Sequence, residues 1–472
     1  MGLKDLQPEL IFQICENLCQ HCTEKHIDAP QAELWRMTPE AKLGRQTLLS
    51  LCQVNKCIGE IAQKVLFHHV GWLHEKETFL YYLLRTIHVK PDLGKHIRVA
   101  NLTPVPILPQ IVPGHWLQQV LPKFRHLLNL DFLLQNFNID AGDNGDTISN
   151  AIPVAILLQT PHLEHLCVTG LQDWVLFDQL DKEVVLREKL LPQDLKTLYI
   201  GKYGRIYPGA AEQMKLDLSP AGLGEYISSF KRLHTLTLSN PRGSTITDKL
   251  SIENVRTLRI SEAVLTKGQL QTLLSTTRCL NEFAFHEITN RGTLVELRVN
   301  PQEIFEVLAP KNDTLRRLIL NTWVYTGPLT MGRKLTNLEE LRINHAVVCD
   351  IVDLANHRRQ LDEDRLVGVL PPSIRTLHLD ASGLGTKWME EALVKYIMST
   401  YNPSPDEQKL KKVILNFKMR VSYAPERPSS LADDPVISYD TFFRGKCARW
   451  FENGTMGLTK ERMLWYEIEE QE

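Results

Sequence analysis

Residues 338–343 read LEELRI: an aliphatic residue, two polar ones, then Leu341 and Ile343 flanking Arg342. The form recurs as LEHLCV from Leu163, LKTLYI from Leu195, LHTLTL from Leu233 and VRTLRI from Val255. It continues as LNEFAF from Leu280, LRRLIL from Leu315, IRTLHL from Ile374 and LKKVIL from Leu410. Successive starts lie 22 to 38 residues apart. Self-similarity at this period predicts a solenoid, in which no unit buries its apolar face without its neighbours. The alternation within each phrase is that of a short strand with one buried face. Leu166 and Val168 are expected to point inward, and His165, Cys167 and Thr169 outward. Leu318 and Leu320 likewise face in, while Arg317, Ile319 and Asn321 face out.

Between the phrases the period becomes helical. Thr266 is placed to cap a helix burying Leu270, Leu273 and Leu274. Pro301 suits a first helical position ahead of Ile304, Phe305 and Leu308. Thr386 opens a third, with Trp388, Met389, Leu393, Val394 and Ile397 on its apolar face. Turn signals at Thr160-Pro161, Pro192, Pro310 to Asp313 and Pro371-Pro372 precede the strands. A strand, a helix and a return to a parallel strand make a repeated β/α unit, so the fold class is α/β with a parallel sheet. An ordinary α/β domain with short parallel strands satisfies the same pattern.

These phrases resemble leucine-rich repeats over residues 90–420, with weaker units at Ile97 (IRVANL) and Leu127 (LLNLDF). The resemblance implies a right-handed β/α solenoid. The chain departs from the family at the asparagine three residues beyond the last strand apolar position. Leu171, Tyr203, Pro241, Trp323, Ala346 and Ser382 stand there instead.

The first 75 residues carry no repeat phrase and read as short amphipathic helices. Pro8 fits a first helical turn with Asp5 as a nearby cap, and Leu10, Ile11, Ile14 and Leu18 share a face. Leu48, Leu49, Leu51, Cys52 and Val54 follow, then Ile58, Ile61, Ala62, Val65 and Leu66. The opening Leu6-Gln7-Pro8-Glu9-Leu10-Ile11-Phe12-Gln13-Ile14 resembles the leucine–proline–glutamate–leucine start of an F-box, with Gln7 inserted. Residues 48–55 resemble its middle helices and 58–70 its closing segment. An insertion from Gln20 to Gln46 separates the halves, as in divergent filamentous-fungal F-box proteins with irregular leucine-rich repeats. The resemblance implies an adaptor-binding face on Leu6, Pro8, Leu10, Ile11, Ile14, Leu48, Leu49 and Val54. A helical cap shielding the first repeat is the alternative.

Charges nearly cancel, at 54 Lys+Arg against 56 Asp+Glu, so no global basic footprint points to nucleic acid. Asp5, Glu9 and Glu16 interrupt any signal-peptide core, and no apolar run approaches a membrane span. Cys15, Cys19, Cys22, Cys52 and Cys57 are five of nine unevenly placed cysteines, which suits reduced thiols in cytosol or nucleus. The sequons at Asn101, Asn312 and Asn453 are then idle.

Cys15, Cys19, Cys22 and His26, with His21 among them, have a metal-like spacing. The F-box resemblance instead sets Cys15 and Cys19 among apolar helix residues, and no metal or other cofactor is assigned. No phosphate loop, nucleophile elbow or zinc-protease motif is present, so no catalytic residue is expected. Outward strand positions are the substrate-binding candidates: Tyr199, Arg259, His286, Arg317, Asn321, Arg342, Asn344, His378 and Asp380. Their Arg and Tyr members are the types that anchor protein interfaces.

Beyond Leu415 a polar loop at 424–435 and an aromatic tail read as a C-terminal cap over residues 421–472. By resemblance, the chain is expected to be a non-catalytic substrate receptor of a ubiquitin ligase. It would bind a Skp-type adaptor, and through it a cullin, and present an unidentified protein substrate. A leucine-rich interaction scaffold with no ligase role is the alternative.

Overall fold

A computed structural model of the chain describes residues 6–23, 38–71, 79–102, 152–170, 182–202, 215–218, 223–239, 242–246, 250–263, 265–287, 299–322, 334–344, 347, 370–371, 373–381, 412–417 and 465–466. The protein divides into two units, Met1–Val299 and Asn300–Glu472. Both are α/β with parallel sheets.

The first unit opens with helices α1 (Pro8–Asn17), α2 (Gln20–Thr23), α3 (Pro39–Leu51) and α4 (Lys56–Leu66). Helix α1 has Gln7 at its N-cap, with no side-chain cap, and Pro8 supplies the preset backbone angle. Asp5 lies outside the described residues. The C-terminal part of the expected insertion, from Pro39, is helical: Ala41 N–H donates to Thr38 Oγ1 at 3.1 Å. Asn55 caps α4 in the same way, accepting from Ile58 N–H at 2.9 Å. The segment from Glu24 to Met37, with Pro30 and Trp35, lies outside the described residues.

Ile11, Cys15, Cys19, Leu48, Ile58, Ala62 and Val65 form the core of this helical cluster. Gly44 lets α3 approach the end of α1: a Cβ there would sit 2.2 Å from the Leu18 carbonyl oxygen.

The chain runs from α4 directly into strand β1 (His69–Val70), then through α5 (Phe79–Val89) and α6 (Pro91–Gly94) into β2 (Val99–Asn101). The weak unit at Ile97 therefore supplies a strand, and Ile97 is fully buried. The unit at Leu127 lies outside the described residues. Next come β3 (His165–Gly170), α7 (Lys182–Arg187), β4 (Thr197–Lys202), β5 (Lys215–Asp217) and α8 (Leu223–Ser229). They are followed by β6 (Thr235–Ser239), β7 (Arg242–Thr245), β8 (Thr257–Ala263), α9 (Lys267–Ser275) and β9 (Glu282–Glu287).

The sheet of this unit runs β1-β2-β3-β4-β6-β8-β9, each neighbour parallel. Strands β5 and β7 pair separately. Register is set phrase to phrase: Leu166, Leu198, Leu236, Leu258 and Phe283 are successive partners. Val168, Ile200, Leu238, Ile260 and Phe285 form the second inward column, and all ten side chains are buried. Each such burial is worth about 1.5–3 kcal/mol, and a neighbouring strand supplies much of the cover. Behind the sheet, α9 has the expected cap at Thr266, which forms a full capping box with Gln269, and buries Leu270, Leu273 and Leu274.

The second unit contains α10 (Pro301–Leu308), a 3-10 turn at Ala309–Lys311, and strands β10 (Arg317–Asn321), β11 (Glu340–Asn344), β12 (Thr376–Ala381), β13 (Lys412–Phe417) and β14 (Trp465–Tyr466). They pair in that order, all parallel. Pro301 occupies the first turn of α10, Asn300 and Glu303 form a capping box, and Ile304, Phe305 and Leu308 are buried as the pattern predicts. Trp465 and Tyr466, read from sequence as part of a cap, are a strand beside β13. The helix expected at Thr386 and the loop at 424–435 lie outside the described residues.

All nine phrases are strands. Charged residues just before them pair between neighbours: Glu164 with Lys196, Asp194 with Arg232 at 2.6 Å, and in the second unit Glu339 with Arg375 at 3.7 Å.

Two helix glycines, Gly44 within α3 and Gly268 in the first turn of α9, give opposite expectations. Gly44→Ala should destabilise the chain by about 1–3 kcal/mol through backbone overlap. Gly268→Ala, where a Cβ meets nothing within 4 Å, should stabilise it by about 0.5–1 kcal/mol. Urea unfolding of the two full-length variants checks both signs.

Candidate interaction surfaces

The helical cluster separates the apolar residues that pack from those that do not. Ile11 and Leu48, expected on an outward face, are core residues at 3% exposure each, and Leu6 packs half-buried against them. Leu10 and Ile14 instead point outward, with Pro8 exposed beside them at the start of the helix. The reason is helical phase: Ile11, Cys15 and Leu18 follow the stripe that meets α4, while Leu10 and Ile14, each one residue earlier in the chain than Ile11 and Cys15, lie about 100° round the helix from it. Leu49 and Val54 are exposed on α3 and the turn after it. Leu43, not singled out from sequence, is exposed at 65%. Large apolar side chains thus stand in solvent although the core beneath them is complete.

Outward positions of the sheet form rungs across neighbouring strands, which lie about 4.8 Å apart. In the first unit one rung runs Cys167, Tyr199, Thr237, Arg259 and Ala284. The next pairs Ser261 with His286. In the second unit one rung runs Ile319, Arg342, His378 and Ile414, and another aligns Asn344, Asp380 and Asn416. The side chain of Asp380 lies outside the described residues.

The structure commits several of these candidates to internal partners. Arg259 Nε lies 2.8 Å from Glu282 Oε1, both side chains mostly buried. Arg317 reaches Glu340 at 2.9 Å, and His378 Nε2 approaches the same oxygen at 3.5 Å. Acids on adjacent strands therefore neutralise Arg259 and Arg317 among the candidates. Asn344 is buried and donates from Nδ2 to Asn321 Oδ1 at 2.8 Å and to the Thr322 carbonyl at 2.7 Å. It bridges strands where the sequence suggested a docking contact. Tyr199 folds back along its own strand, and a Cβ at Gly201 would lie 2.6 Å from its ring. Arg342 and His286 are half-buried.

At the N-terminal end of this sheet the outward face is covered. His165 and Cys167 are buried rather than exposed, and the His21 ring lies 6.3 Å from that of His165. Burial, reinforced by His21, holds the His165 imidazole down to about 3. Burial likewise raises the Cys167 thiol.

The cysteine-rich helix end rearranges the expected metal-like set. Cys15 belongs to the core and burial raises its thiol, while His26 lies outside the described residues. Cys19, His21 and Cys22 are joined instead by His68, and their ligand atoms lie within 4.8 Å of one another. Cys22 Sγ is 3.3 Å from His68 Nδ1 and 3.6 Å from His21 Nδ1. A hydrogen bond from Cys22 favours the Cys19 thiolate, with further help from His21 and His68. Cys22 is pushed the other way by the same bond. The Cys19-x-x-Cys22 spacing was a visible signal; His68, on a distant part of the chain, was not.

Among the described residues, no helix is long and apolar enough to cross a membrane. No protein-family model and no curated protein matches the chain.

Asn344→Ala should lower stability by about 1–3 kcal/mol, because it leaves the buried Thr322 carbonyl without this donor. Glu60→Ala, at an exposed position of α4, should stay within about 0.5 kcal/mol of the native chain. Thermal melts of both variants test the contrast.

Proposed function

We propose that this chain is a substrate receptor of a Skp–cullin–F-box ubiquitin ligase, built from an N-terminal F-box and a leucine-rich solenoid. The observation that carries the reading is the set of exposed apolar side chains, Leu10, Ile14, Leu49 and Val54, on a helical cluster whose core is already filled. Such side chains on a small helical unit suit docking against another helical protein. The LPEL-like opening and the order of helices agree with an F-box. A Skp-type adaptor would occupy this face and link the chain to a cullin. The in-register phrases agree with an open repeat surface that holds a protein target.

The chemistry of this reading is positioning. The receptor raises the concentration of its target near the transfer machinery and supplies no reacting group. Within the sheet face, Tyr199, His286 and Arg342 remain candidates for target contact. Arg259, Arg317 and Asn344 serve mainly to hold neighbouring strands. The setting would be cytosol or nucleus.

A second reading is a repeat scaffold in which the helices act as a cap. It is favoured by the contact of His21 with His165, which covers the first strands. The two readings differ over adaptor binding.

Co-expression of the full chain with a Skp-type adaptor should yield a stoichiometric complex. Ile14→Glu with Leu49→Glu should weaken it by at least about thirtyfold, as for interface hot spots, with the melting temperature unchanged. Ile11→Glu should instead unfold the helical cluster. A well-folded chain that forms no complex, or one indifferent to the double substitution, would favour the scaffold.

A further inference from the structure

We infer that Cys19, His21, Cys22 and His68 form a structural zinc site. Four soft or borderline donors, two thiols and two imidazoles, have their ligand atoms within 4.8 Å of one another. Zinc prefers this donor set in tetrahedral array, with Zn–S about 2.3 Å and Zn–N about 2.0–2.1 Å. Those bond lengths at the tetrahedral angle place sulfur and nitrogen about 3.5 Å apart. The two measured sulfur–nitrogen separations, 3.3 Å and 3.6 Å, bracket that edge. The remaining separations are at most 4.8 Å, so admitting the ion needs shifts of about an ångström.

The spacing agrees. Cys19 and Cys22 are separated by two residues, the commonest pairing in structural zinc sites. The remaining ligands come from each side of a fold junction: His21 from α2, and His68 from the short link between α4 and β1. Cys19 and His68 are buried while His21 and Cys22 are half-buried, so the site is enclosed yet reachable during folding.

The site answers a stability problem. Helix α2 has four residues, too few to persist on its own. Its position depends on a tether, and the Cys22–His68 link spans 46 residues of chain. A metal there would pin α2 against the start of the sheet, where His21 already meets His68 and His165. It would fix the helical cluster onto the first strands. That role stands whether or not the adaptor reading holds.

His21, Glu164 and His165 also have ligand atoms within 4.8 Å of one another and form a three-ligand alternative. The thiol set is preferred because it supplies four donors and the C-x-x-C pairing.

The test uses the full-length chain, expressed with zinc and purified under reducing conditions. Metal analysis should find about one zinc per chain, and cobalt exchange should produce the charge-transfer and intense ligand-field bands of tetrahedral cobalt thiolate. Cys22→Ser and His68→Asn should each weaken metal retention by at least about 10–100-fold. His165→Asn should retain the ion. His68→Cys keeps a ligand and should restore binding, which separates ligand loss from misfolding. A folded, reduced native chain with no zinc and no cobalt thiolate bands would overturn the assignment. So would metal retained by Cys22→Ser but lost in His165→Asn.

Discussion

Parallel register is the constraint on which the rest of this structure depends. Each strand is only a few residues long and exposes an apolar flank that it cannot cover alone. Alignment of Leu166 with Leu198, then Leu236 and Leu258, lets each flank be closed by its neighbour and by the helices behind. A slip by one residue would turn every inward side chain outward, so the inward columns fix the outward ones as well. The rungs of Thr, Arg, Glu and Asn follow from that alignment.

Close rungs also explain why the outward face is less available than its composition suggests. Side chains on adjacent strands sit near enough for Arg259 to meet Glu282 and Arg317 to meet Glu340. These pairs are partly desolvated, so their net contribution to stability is modest, but pulling one partner away leaves the other charge poorly solvated. Asn344 goes further and serves the backbone, closing onto Thr322. Groups held in this way resist recruitment by a partner.

The helical cluster works under a different economy of space. Its core contains small residues, Cys15, Cys19 and Ala62 among larger aliphatic ones, and α1 and α3 touch closely at Gly44. Tight packing of few residues leaves some large side chains without a place inside, and Leu10, Ile14, Leu43 and Leu49 remain outside. The thiols and imidazoles collect where this cluster meets the first strands. That polar knot is therefore a property of the junction between helices and sheet.

Local pattern determined the strands, the helices opening at Thr266 and Pro301, and the α/β class, because period-two alternation and helix-start residues act over a few positions of chain. The phase of α1 was not readable: Leu10, Ile11 and Ile14 are equally apolar, and only contact with α4 decides which of them is buried. The partners of Arg259, Arg317 and Asn344 come from neighbouring repeats, 22 or 23 residues away. Local alternation marks a residue as outward without saying what stands beside it. His68 joined Cys19, His21 and Cys22 for the same reason. Composition and spacing supply donors along the chain, and only the tertiary fold brings distant ones within bonding range, because that depends on how helices and strands close around a shared core.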